Sequence, residues 1–217
     1  MCSKIEFFLS YYNDLHPGIA RELYSLRRKT FLERLEWKVE CLGGYEKDKF
    51  DNSDTIYLLG MSEGKLLCGA RFIDTRYPTM ISEVFHEYFE DLVLPIDIPC
   101  CEISRLFLDK QRRDDGNLRG VAVSKALFLA MIIYCLKKGY KGMYAIVSRG
   151  MYAIFRQANW KVEVLRKGAS EKGEAIYYIF MPANENIIEE IISKDRNNIW
   201  LRGMHRQLQG LTLSDIQ

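Results

Sequence analysis

Three short stretches gather the side chains able to do chemistry. In "LRRKTFLERLEW", Arg27, Phe31 and Arg34 recur at i, i+4 and i+7, and Trp37 follows; this spacing lays the first three along one helix face. In "EKDKFD", Glu46, Asp48 and Asp51 surround Phe50. In "CEISRL", strand alternation puts Glu102, Ser104 and Leu106 on one side, with Ile103, Arg105 and then Phe107 on the other. Arg71 stands among apolar neighbours in "GARFID". An isolated buried charge is very costly there, so a partner is expected from the 48–51 loop or from Glu102. Carboxylates suit a cationic ligand or accept a proton, guanidinium groups hold carboxylates, and aromatic rings wall a cationic or flat group. Each stretch also has a plain structural reading: core aromatics with snorkelling arginines, a solvated loop neutralised by Lys47 and Lys49, an ion pair on a strand. A β-bulge would bring Glu102 and Arg105 together. There is no G-x-S-x-G, no C-x-x-C pair and no zinc-spaced histidine, and His16, His86 and His205 form no motif. Neither an acyl-enzyme nucleophile nor a metal site is therefore read.

These residues need elements to hold them. "PGIARELYSLRRKTFLERL" opens on Pro17 and carries apolar residues at helical spacing, so it predicts a helix. An irregular acidic loop follows, about 38–54, and then "TIYLLGMSEGKLLCGARFID" reads as a hairpin. "PTMISEVFHEYF" predicts a short helix and "CEISRLFLD" a strand. A polar, glycine-containing loop, "KQRRDDGNLRG", precedes the nearly all-apolar helix "VAVSKALFLAMIIYCLKKGY". Its Lys-Lys-Gly end matches the helix dipole and a glycine cap, and its apolar girth predicts burial. "GMYAIVS" reads as a central strand, "RGMYAIFRQANW" as a short helix, "KVEVLRK" and "AIYYIFMP" as strands, and "NENIIEEIISKD" as a helix. The expected fold is α/β: one domain over 1–217, a mixed central sheet flanked by helices, with a crossover at 102–148. This order occurs in the N-acetyltransferase-like acyltransferase fold.

The 217 residues are 48% hydrophobic and 28% charged, an ordinary globular composition. No window has the roughly 20 uninterrupted apolar residues of a membrane span, and the start lacks a secretory pattern, so a cytoplasmic location is expected. The six cysteines, Cys2, Cys41, Cys68, Cys100, Cys101 and Cys135, suit reduced thiols, those in apolar runs packing as small hydrophobes. The net charge of +2 conceals an asymmetry. Residues 1–104 hold 12 Lys+Arg against 18 Asp+Glu, 105–167 hold 14 against 4, and 168–217 hold 5 against 7. The basic middle should attract an anionic partner. No nucleic-acid-binding motif accompanies it, and the pI is only about 8.1.

The stretches "LRRKTFLERLEW", "GYEKDKFD", "GARFIDTRYPTMISEVF" and "CEISRLFLD" together resemble the acyl-homoserine-lactone synthases, bacterial autoinducer synthases of quorum sensing. The resemblance covers roughly residues 5–180. It implies two substrates, S-adenosylmethionine and an acyl group on acyl carrier protein, and no separate cofactor. The amine attacks the thioester; the carboxylate then closes the lactone and expels methylthioadenosine. By the same resemblance, Arg27, Phe31, Trp37, Asp48, Asp51, Arg71 and Phe85 frame the S-adenosylmethionine pocket. Glu102 is the candidate base, with Ser104 and Arg105 beside it. Residues 1–104 would form the S-adenosylmethionine half and 105–217 the acyl-chain and carrier half.

Met143, Ala145, Ile146 and Ser148 are expected to line the acyl slot, and Lys137, Lys138, Arg149 and Arg156 to dock the carrier. Family members making 3-oxo products often have threonine where Ala145 stands, so a 3-oxo preference is not expected here. Two other classes remain. One is a coenzyme-A-dependent N-acyltransferase, for which "QRRDDGNLRG" offers only a partial pyrophosphate loop. The other is a non-catalytic ligand-binding regulator.

Overall fold

The hairpin forms as read. β4 (Thr55–Ser62) and β5 (Lys65–Asp74) turn through Glu63 and Gly64, both at positive φ. The protein is represented by a computed structural model, which describes residues 5–89, 92, 97–115, 118 and 122–212. Cys2 and the loop glycines Gly116 and Gly120 lie outside the described residues.

A strand absent from the sequence reading, β1 (Ile5–Tyr11), pairs antiparallel with β4. On the other side β5 pairs with β6 (Cys101–Leu108). Beyond β6 come β7 (Gly142–Ser148), β9 (Ala175–Pro182) and β8 (Glu163–Ala169). Among the described residues this makes one seven-stranded sheet of order β1-β4-β5-β6-β7-β9-β8. The β6–β7 pair is parallel and is joined by the buried helix α3 (Val123–Lys138), which Gly139 closes at φ 73. β6 and β7 pair with each other only at Cys101–Met143 and Glu102–Tyr144, so beyond these the two strands part, each keeping its other neighbour, β5 or β9.

One face of the sheet packs on α3, with α5 (Glu185–Ser193) and α6 (Asn198–Leu208) outside it. Leu58, Phe72, Ile103, Met143, Ala145 and Ile179 contribute to this core. Cys68, Cys101 and Cys135 are buried in the same core as free thiols, and burial pushes the Cys68 thiol up to about 12. The other face carries α1 (Pro17–Arg28), continued by a wide π-type turn over Lys29–Arg34. The "KQRRDD" segment, read as loop, begins with the short helix α2 (Lys110–Asp115), and α6 was not anticipated at all. No helix among the described residues is long and apolar enough to cross a membrane.

Candidate active site

The "EKDKF" stretch alternates like a strand and is buried like one. A two-residue ladder, β2 (Cys41–Leu42) with β3 (Tyr45–Glu46), aims Glu46 inward. Glu46 and Phe50 are buried and Asp48 half-buried, whereas Lys47 and Lys49 are exposed. The lysines do not neutralise the acids of this segment. Lys47 donates to Tyr12 Oη at 2.6 Å, and Lys49 pairs with Glu83 at 2.6 Å. The acids meet arginines from three other elements instead.

Arg27, at the end of α1, has no exposed side-chain surface. Its Nε donates to Glu46 at 2.5 Å, and its two Nη atoms donate to Asp51 at 2.7 and 2.9 Å. Arg71 of β5 donates from Nη1 to Asp48 at 2.5 Å, lies 3.1 Å from Asp51, and donates from Nε to Ser104 Oγ at 3.1 Å. Arg105 of β6 donates from Nε to Glu46 at 2.9 Å and from Nη2 to Asp48 at 2.7 Å. Tyr57 Oη also donates to Asp51, at 2.7 Å. The surrounding guanidinium groups hold the Asp51 carboxyl far below the usual range, against the cost of its burial. Asp51 in turn pushes the Arg27 guanidinium above its ordinary value despite burial.

Arg105 breaks the simple alternation of β6 through a bulge such as the sequence reading raised, and it meets Glu46 and Asp48. Its φ is +53, and β5 residue Ala70 faces two β6 residues, because Arg71 pairs with Ser104 and Gly69 with Phe107. The bulge moves Arg105 to the face of Glu102, Ser104 and Arg71, where it meets the acids. It also moves Phe107 across from Ile103: Phe107 packs under α1 and Ile103 under α3. A positive φ outside glycine costs of order 1–3 kcal/mol, which the three-element ion network offsets. Arg105 thus binds acids that precede residue 104, so the network spans the expected boundary between the two halves.

Glu102 is fully buried on this face. Its Oε2 accepts from Ile81 N at 2.7 Å, while Oε1 has no partner within hydrogen-bond distance among the described residues; the Thr79 hydroxyl and the Met80 amide lie close enough to the carboxyl to favour its ionised form. Burial raises the Glu102 carboxyl above its ordinary value, against the pull of the Ile81 amide and Arg71. Phe31 is buried, stacks on Trp37 at 5.3 Å between centroids and lies under Arg105 at 5.5 Å. Trp37 is 40% exposed. Its loop is tied to the β8–β9 turn, where Lys172 donates to the Glu36 carbonyl at 2.8 Å. Phe50 lies beside Arg71, and half-buried Phe85 packs against Phe50 and Ile81. Arg34 stays at the edge, its guanidinium 3.5 Å from the Leu108 carbonyl.

The sequence reading left Glu46 as a minor member and did not single out Met80, Thr79 or Tyr57. For Glu46 the signal was present: acid, lysine, acid, lysine, phenylalanine is a period of two. The acyl-slot residues divide between faces. Met143 and Ala145 point to α3; Ile146 packs with Tyr144 and Tyr178 on the Glu102 side, and Ser148 caps α4 (Arg149–Gln157) by accepting from Met151 N. The docking residues divide too. Lys137 and Lys138 end α3 beside the start of β7, and Arg149 follows its far end, about 20 Å away by strand rise.

A family model described as autoinducer synthase matches residues 12–191. The chain belongs to the autoinducer synthase family. It is 44% identical over 182 residues to an acyl-homoserine-lactone synthase of Serratia liquefaciens, covering 83% of this chain and 90% of that one. A Yersinia enterocolitica acyl-homoserine-lactone synthase is 38% identical over 190 residues, 88% of each chain. The fold resembles the structure of a CoA-dependent acyl-homoserine lactone synthase, BjaI, with SAM and isopentyl-CoA. The TM-score is 0.73 at 22% identity, with 97% of this chain and 92% of that chain covered. The chain is thus an acyltransferase of this family on an N-acetyltransferase-like sheet.

Proposed function

We propose that this autoinducer synthase transfers an acyl group from a thioester to the amine of S-adenosylmethionine and then closes the lactone. One observation carries the reading: Glu102 buries a carboxylate oxygen without a partner beside a network of three arginines and three further acids. With Glu102 the acids outnumber the arginines by one, which favours a ligand of net positive charge such as S-adenosylmethionine. Glu102 takes a proton from the amine, directly or through a water; the amine then attacks the thioester carbonyl and the thiolate leaves. The substrate carboxylate oxygen next displaces methylthioadenosine from the methionine γ-carbon. Phe31 and Trp37 offer an aromatic wall for the adenine, and Ser104, held by Arg71, faces the reacting groups.

Acyl carrier protein is the proposed donor, and the cytoplasm the proposed place of action. The register sets Ser148 against Ile176 and Ile176 against Gly168, so Arg149 and Lys167 lie at the same end of the sheet, Lys167 two strands beyond β7 on the side away from β6. Arg149 and Lys167 are exposed at this end, Arg156 is exposed at the other end of α4, and all three suit an acidic carrier; Lys137 and Lys138 are remote from Arg149. A CoA thioester is the second reading. A groove of about 590 Å³ between the start of α3, α4 and the α5–α6 turn has Phe128, Ile154 and Ala158 in its wall; of its charges, Lys125 pairs with Asp195 at 2.7 Å and Arg113 with Asp114 at 2.8 Å, and Arg196 also lines it. Its apolar wall suits a pantetheine arm, which both donors carry.

The test is turnover with S-adenosylmethionine and either acyl carrier protein or coenzyme A thioester. Acyl-homoserine lactone and methylthioadenosine should appear in equal amounts, faster from the carrier. Methylthioadenosine without lactone would overturn the reading, and faster turnover of the CoA thioester would reverse the donor assignment.

A further inference from the structure

The ion network leaves few polar atoms unengaged, and they converge. Glu46 is shared by Arg27 and Arg105, and Asp51 by Arg27, Arg71 and Tyr57. Asp48 accepts from Arg71, Arg105 and the Phe50 amide. Two guanidinium nitrogens find no oxygen among the described residues. Arg71 Nη2 and Arg105 Nη1 both point at one thioether, Met80 Sδ, at 3.0 and 3.4 Å. A thioether is a weak acceptor, so two buried, charged donors are poorly satisfied. The next residue, Ile81, supplies the amide that holds Glu102, whose Oε1 is the unpartnered acceptor. Consecutive residues of one buried segment thus occupy the unfilled donors and the half-filled acid.

We infer that Met80 is a placeholder for the α-carboxylate of the amino-acid head of the substrate. Arg71 Nη2 and Arg105 Nη1 receive that carboxylate, and Glu102 Oε1 receives the neighbouring amine. A carboxylate offers two charged acceptor oxygens where the sulfur offers one weak acceptor, so the exchange is favourable. Methionine suits a displaceable plug because its unbranched side chain re-packs at little cost. Met80 is 8% exposed and packs with Phe50 and Ile73, so the sulfur has apolar surroundings to swing against. Carboxylate and amine are held together, which fixes the amine beside its base. Met80 is a positioning residue. The inference rests on S-adenosylmethionine being the substrate.

The experiment compares calorimetric binding of S-adenosylmethionine and its decarboxylated analogue to the intact protein and to Met80→Leu. Leucine keeps the volume, a swap that cores tolerate, and removes the sulfur. The wild type should bind the decarboxylated analogue at least tenfold more weakly. Met80→Leu should bind S-adenosylmethionine several-fold more tightly, because its free state no longer satisfies the donors, and should leave the analogue unchanged. Equal affinities in the wild type, with S-adenosylmethionine itself bound, overturn the inference alone. A Met80→Leu change that moves both ligands equally also overturns it. If S-adenosylmethionine does not bind at all, the enzyme reading falls and takes this inference with it.

Discussion

The arginine–acid site and the proposed donor side are built on opposite terms. In the first, arginines from α1, β5 and β6 are locked to Glu46, Asp48 and Asp51 with almost no exposed surface. On the donor side the charges of Arg149, Arg156 and Lys167 are exposed, and the gap beside β7 is walled by apolar residues of both faces. A buried ion pair is destabilising when one partner is removed, whereas an exposed charge changes little in the fold. The first region should therefore fail in folding and chemistry together, except at Glu102. The donor side should change only in which substrate it takes and how fast it meets it.

Glu102 gives the largest expected effect. Glu102→Gln should lower turnover by about 10²–10⁴-fold, as loss of a general base does. Its melting temperature should hold or rise, since a buried, desolvated carboxylate is neutralised. Steady-state rates and calorimetry check both; near-normal turnover in the folded variant would remove Glu102 from the mechanism.

Asp51→Ala breaks the comparison from the other side. It takes one carboxylate partner from each of Arg27, Arg71 and the Tyr57 hydroxyl, and losing one partner of a buried pair costs about 3–5 kcal/mol. Urea unfolding should show that loss. A change below about 1 kcal/mol, the range of an exposed pair, would mean the network is solvated.

Acid separates the two carboxylates. The Glu102 carboxyl is raised by burial, and the base works only when ionised, so kcat/KM should fall as pH drops through a value above the ordinary 4.5. Protonation of Glu102 itself favours the fold: that contribution is full below its unfolded value and is lost as pH rises through the folded one. The Asp51 carboxyl is depressed by Arg27 and Arg71. Its stabilisation is full above an unfolded value of about 3.9 and is lost as pH falls towards the depressed one. Activity should disappear at higher pH than structure does, and circular dichroism beside a pH–rate profile tests the order.

Smaller effects belong to the donor side. Arg149→Glu with Lys167→Glu should raise KM for acyl carrier protein several-fold, leave the constant for S-adenosylmethionine unchanged, and weaken the salt dependence of the wild type. Equal rises in both constants would mean a damaged fold. Ala145→Thr should do least: a hydroxyl on the buried α3 face costs about 1 kcal/mol or more if unpaired, and the product mixture from competing donors should move towards 3-oxo chains. An unchanged mixture would show that the 3-oxo group does not reach this position.

How far each region was legible follows from the same contrast. The hairpin, the crossover and the capped helix α3 were readable because each rests on local periodicity and turn chemistry. β1 and α6 were not, because β1 is an edge strand read as an unremarkable start and α6 follows a helix in a polar stretch. Arg27, Asp48, Asp51, Arg71, Glu102 and Arg105 were all named from their motifs, yet no periodicity paired them. Strict alternation put Arg105 on the wrong face, since one bulged residue reverses every position after it.

By itself the sequence determined the chemistry on offer: acids and arginines in equal number, aromatic residues beside them, no nucleophile motif, and a basic middle third. The tertiary structure alone decided which atoms are spent. Glu46, Asp48 and Asp51 give their oxygens to arginines 19 to 59 residues away in the chain, while Glu102 keeps one oxygen unpaired. The reason is physical. Composition and spacing fix how many charges must be buried, but a buried charge is tolerable only where partners from other elements meet it, and that meeting is a property of the fold.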